Sequence, residues 1–155
     1  MIQVNENIEV PSSRQAVWDI LSNPHAVAEC VPGATLGERH EDGSYDASLV
    51  VKFGPAKVTF RAKFTLLLDP PAFSGQVESR AKDNQGGTRM KTLMNFKIVE
   101  GAAPGTSAIP IDAQVEISGK LASLVESGAN LVVKYMTKEF SERLAAKLAG
   151  GKVAA

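Results

Sequence analysis

Disulfide chemistry is excluded at the outset, because the 155-residue chain has a single cysteine, Cys30, and no internal bridge can form. Charge of one sign is also missing. The 17 basic and 17 acidic residues cancel, and neither half holds a charged block, so the composition offers no electrostatic drive toward nucleic acid or an anionic bilayer. Long hydrophobic runs are absent too. The greasiest short piece, FTLLL at 64–68, stops at Asp69-Pro70-Pro71, far short of the ~18 apolar residues that would span a membrane. The opening MIQVNENIEV lacks the basic, apolar and small-residue regions of a secretory signal, so a cytoplasmic location is expected. Two distant histidines and one cysteine supply no closed metal-ligand set.

What is present is a core's worth of apolar residues in ordered patterns, enough for one domain at this length. Ile2, Val4, Ile8 and Val10 alternate with polar residues, the period of a half-buried strand, with Glu6 as the polar intruder on the apolar face. Pro11 ends that strand, and Ser12 with Gln15 reads as a capping box ahead of Val17, Trp18, Ile20 and Leu21 on one helical face. Asn23 before Pro24 reads as the N-cap of a second short helix reaching about Cys30, stopped by Pro32-Gly33. From 34 to 118 strand follows strand. Tyr45, Ala47, Leu49, Val51 and Phe53 share one phase; after the Gly54-Pro55 turn, Val58, Phe60, Ala62, Phe64, Leu66 and Leu68 share another. A weaker strand at 73–82 leads through a Gly86-Gly87 hairpin turn to Met90, Met94, Phe96 and Ile98, and the cleanest alternation runs from Ile109 to Ile117. After Gly119 the spacing changes to three and four residues, from Leu121 to Leu148, the stripe of a long amphipathic helix in which Ser127-Gly128 could place a kink.

One sheet with a dry and a wet face needs a cover, and only the C-terminal helix is long enough. The expected fold is therefore α+β: a helix grip of about seven antiparallel strands curved round that helix, with two short helices after the first strand. A single domain is expected over 1–149, followed by a short tail at 150–155.

The inward phases gather Tyr45, Phe53, Phe60, Phe64, Met90, Met94, Phe96, Leu124, Leu131, Tyr135 and Met136, an apolar hollow with a few hydroxyls that suits a small lipophilic molecule such as a quinone. The methionines equally suit plain gap filling. An enzyme would need acids and bases inside, and the candidates are few: Glu6, Tyr45 and Tyr135. Cys30 reads as a small buried hydrophobe, Trp18 as packing, and His25 and His40 as solvent-exposed.

The stretches VPSSRQAVWDIL, NPHAVAECVPGA, DGSYDASLVVKFGPAKVTF, LLLDPP and SGKLASL resemble the CoxG family of carbon monoxide dehydrogenase subunits, within the START-like helix-grip (SRPBCC) superfamily, from residue 1 to about 148. The resemblance implies a non-catalytic accessory protein of a molybdenum hydroxylase of the aerobic carbon monoxide dehydrogenase and xanthine dehydrogenase type. A quinone or lipid would be bound in the hollow, with no other cofactor, and the protein would lie at the inner face of the membrane. The hydrophobic tail of many members has no counterpart after Gly150, so no anchor is expected within this chain. Two alternatives stand beside this reading: a small cyclase or dehydratase of the same superfamily, and a structural adaptor whose core is filled by its own side chains.

Overall fold

The computed structural model describes residues 2–53, 55–85 and 87–154, with side chains described as far as Ala149. Gly54 and Gly86, on which two of the expected turns fall, lie outside the described residues. The chain opens with β1 (Ile2–Val10), α1 (Arg14–Leu21) and α2 (Pro24–Cys30). There follow β2 (Ala34–Arg39), β3 (Tyr45–Phe53), β4 (Ala56–Asp69), a 3-10 turn (Pro70–Ala72), β5 (Ser74–Asp83) and β6 (Thr88–Lys97). A two-residue strand β7 (Val99–Glu100), β8 (Ser107–Gly119) and α3 (Ala122–Ala154) complete it.

Local chemistry explains the starts and stops. The cap of α1 is Ser13, whose side chain accepts from the Ala16 amide, and not Ser12. Ser12 is buried, and its carbonyl accepts from the Ser107 hydroxyl at 2.6 Å; Gln15 bonds Asp19 instead of closing a capping box. Asn23 caps α2 as expected, accepting from the amides of His25 and Ala26. Gly128 does not break α3, which is assigned without interruption over 33 residues. Its missing side chain lets the helix approach Phe53, whose Cδ1 lies 3.0 Å from where a Cβ would sit. Helix α3 extends as far as Ala154. A glycine inside a helix costs about 1 kcal/mol but does not by itself end it.

All strand pairs are antiparallel, in the order β1-β8-β6-β5-β4-β3-β2, with β7 beside β8. The two short helices carry the chain from one edge strand, β1, to the other, β2. The resulting sheet packs its apolar face against α3 at two separate places. Near the helix C-terminus, Leu144 and Leu148 join Ile8, Val10, Val17, Trp18, Leu21, Cys30, Ile98 and Ile109 in one buried cluster. Near its N-terminus, Val125 joins Val51, Phe53, Val58 and Phe60 in another. Full burial of a side chain such as Phe60, 1% exposed, contributes about 1.5–3 kcal/mol. The helix is thus held at both ends. That leaves the middle of the sheet to be accounted for.

Candidate functional site

Strand register lines up the inward side chains of the sheet's middle in two rows. One row reads Tyr45, Phe64, Ser79, Thr92, Val115 and Ile2 across β3, β4, β5, β6, β8 and β1. The next reads Leu66, Val77, Met94, Ala113 and Val4. Every member except Ala113 is half-buried rather than buried. Phe64, Leu66, Val77, Met94 and Val115, with Met136 from α3, belong to neither buried cluster. Solvent therefore reaches an apolar band between the two cores, where the sheet arches over α3. The helix runs closest to β1 and β3 rather than to the central strands.

The band carries few polar groups. Ser79 and Thr92 stand directly opposite each other on β5 and β6. Tyr45 closes the row at one edge, its ring stacked on Phe64 at 5.3 Å, with the Arg39 guanidinium 5.8 Å from the Tyr45 ring centre. Glu6 lies in line with Ile111 and Phe96, the row beyond Met94. Such a surface can hold an apolar body and offer two or three hydroxyls to a carbonyl.

The structure sorts the expected lining residues into three groups. Tyr45, Phe64, Met94 and Met136 flank the open band. Phe53 and Phe60 are buried in the cluster at the helix N-terminus, with Met90 and Leu124 packed against it, while Phe96 packs on the other cluster beside Trp18. Leu131 and Tyr135 do not face inward at all, being 78% and 56% exposed. Each helical residue turns by about 100°, so Leu124, Gly128, Leu131 and Tyr135 trace one row and Val125, Ala129, Val132 and Met136 its neighbour. Val125 and Val132 of the second row meet the sheet, as do Leu124 and Gly128 at the start of the first, which turns to solvent at Leu131 and Tyr135. Leu66 and Val115 share the inward phases read from the sequence but are not among the expected lining residues; Val77, on weakly alternating β5, is revealed only by the register that ties it to Leu66 and Met94.

Other candidates resolve as structural. Cys30 is fully buried, and burial pushes its thiol above the usual range, away from nucleophilic use. Trp18 packs edge-on against Phe73 at 6.0 Å. His25 is exposed as expected, whereas His40 is half-buried and meets Asp46 at 2.9 Å. The Lys147 ammonium donates to Glu29 at 2.8 Å, holds that carboxyl below its ordinary range and ties α3 to α2. Among the described residues no cluster of His, Cys, Asp and Glu could hold a metal ion, and no helix is long and apolar enough to cross a membrane. A hollow of about 1180 Å³ lies on the opposite, polar face of the sheet.

A family model for the CoxG subunit of carbon monoxide dehydrogenase matches residues 7–149. The chain belongs to the CoxG family. No curated protein matches this CoxG sequence. Among solved structures it is similar to a conserved protein from Geobacillus kaustophilus, at 17% identity over 96% of each chain with a TM-score of 0.83. It also resembles a START superfamily protein from Mycobacterium smegmatis, at 18% identity over 92% of this chain and 96% of that one, TM-score 0.61. The ZhuI aromatase/cyclase from Streptomyces sp. R1128 is similar at 11% identity over 96% and 93%, TM-score 0.66. These likenesses establish the START-like helix-grip fold of this CoxG domain.

Proposed function

We propose that this CoxG domain is a non-catalytic binding protein whose apolar band holds a quinone-like or other lipophilic molecule. In this reading it serves a molybdenum hydroxylase of the aerobic carbon monoxide dehydrogenase and xanthine dehydrogenase type. The observation that carries the ligand half is the band itself. Apolar side chains from five strands and α3 stand half-exposed between two closed cores, and a folded chain does not leave such surface unfilled without cost. Ser79 and Thr92 would donate to a quinone carbonyl lying along their row. Family membership supports the hydroxylase half. The cyclase reading draws on the likeness to ZhuI and on Glu6 and Tyr45 facing inward; Tyr135, exposed on α3, drops out of it.

The test is direct. Organic extraction of the purified protein is expected to release a lipophile. Titration of the emptied protein with decylubiquinone is expected to quench Trp18, the chain's one tryptophan, in a saturable way. Absence of both sinks the ligand reading, and turnover of a polyketide-like substrate by the protein alone would replace it with the enzymatic one.

A further inference from the structure

The net charge of zero conceals a segregated face. On the polar side of the sheet, register sets Arg61, Lys82 and Arg89 side by side across β4, β5 and β6, with Ser48 and Ser118 at the row's ends. The adjacent row is Lys63, Arg80 and Lys91, ended by Asp46 and Glu116. Strands lie about 4.8 Å apart and same-face residues along a strand about 7 Å apart, so six cations form a two-by-three grid. All six are exposed. Among the described residues their only ion pair is Lys63 with Asp42, at 3.9 Å. Like charges placed directly opposite on neighbouring strands destabilise a sheet, so folding does not account for this arrangement. The grid lines the hollow of about 1180 Å³.

We infer that this hollow is a docking surface for an acidic segment of a partner protein. It goes beyond the ligand reading and does not depend on it. Charge complementarity favours an anion, and three planar guanidiniums, on Arg61, Arg80 and Arg89, match carboxylates two hydrogen bonds at a time. Single-stranded nucleic acid fits less well, because the residues lining the hollow include no aromatic ring on which bases could stack. A bilayer fits less well too: its headgroup plane is flat, whereas the cations sit in a recess, one row of which ends in the carboxylates of Asp46 and Glu116.

The probe is a fluorescein-labelled polyglutamate peptide, run beside an oligothymidine of equal charge and phosphatidylglycerol vesicles. The peptide is expected to bind, more weakly as salt rises, with amide shifts confined to β4, β5 and β6. Charge reversal in the double variant Arg80→Glu, Lys91→Glu should weaken it about tenfold or more, Arg80→Lys should weaken it less, and Lys138→Glu on α3 should leave it unchanged. Failure of the peptide to bind, equal binding by the double variant, or tighter binding of oligothymidine or vesicles overturns the inference.

Discussion

At the scale of single residues, glycine is informative where space and backbone both demand it. Gly119 has φ +108, and a Cβ there would run into the Gly87 carbonyl. The same corner has the Lys120 amide donating to Gly87 at 3.0 Å and the Leu121 amide donating to the buried Thr88 hydroxyl at 2.9 Å. These bonds fasten the start of β6 to the start of α3. Gly43 also has positive φ, +88, but open space around it. Gly119→Ala should therefore lose the backbone cost of about 1–2 kcal/mol common to both sites plus the penalty of displacing a neighbouring carbonyl, while Gly43→Ala loses the first alone. Urea denaturation of the two variants checks this, and equal losses would refute the close-approach argument. In the sequence, Gly119 marks only the change of period between strand and helix. Its contact with Gly87, thirty-odd positions away, has no local signature.

At the scale of elements, α3 shows what periodicity can and cannot decide. Steps of three and four residues mark the helix plainly, yet two adjacent apolar rows satisfy them, and choosing between rows needs the partner surface. Leu144 is fully buried beside Ile8, Trp18 and Cys30, whereas Leu131 is 78% exposed. Leu144→Ala is expected to cost about 2–5 kcal/mol and Leu131→Ala less than ~0.5 kcal/mol, read as shifts in the denaturation midpoint at unchanged slope. A large loss at Leu131 would mean that this stretch of the helix surface is covered after all. The strands are easier to read. Alternation in β3, β4 and β8 decides which residues face inward, because one face of each is uniformly apolar, and β5 is weak because Ser79 and Gly75 interrupt its dry side. Gly75 has its own reason: the Phe96 ring lies 2.5 Å from where its Cβ would be, so the neighbouring aromatic occupies that space. Cap positions hinge on single bonds, which is why Ser13, and not Ser12, caps α1.

At the scale of the molecule, the order of elements implies a sheet wrapped round one helix, but not that the helix is gripped at two ends with a half-buried apolar band between. That depends on how the assembled strands and helix meet, which no single segment encodes. The same distinction separates a ligand-holding domain from an adaptor with a filled core, and it can be tested by adding volume. Overpacking a well-filled core costs about 1–3 kcal/mol. Ala129, 8% exposed where α3 packs, should behave in that way as Ala129→Leu. Ser79→Leu with Thr92→Leu, placed side by side in the open band, should instead leave stability unchanged or raise it, since the added methylenes cover apolar surface already exposed to water. The same pair should abolish decylubiquinone quenching of Trp18 by occupying the ligand's place and removing its hydroxyls. Destabilisation by the pair as large as that from Ala129→Leu would show that the middle of the arch is already full, and would favour the adaptor.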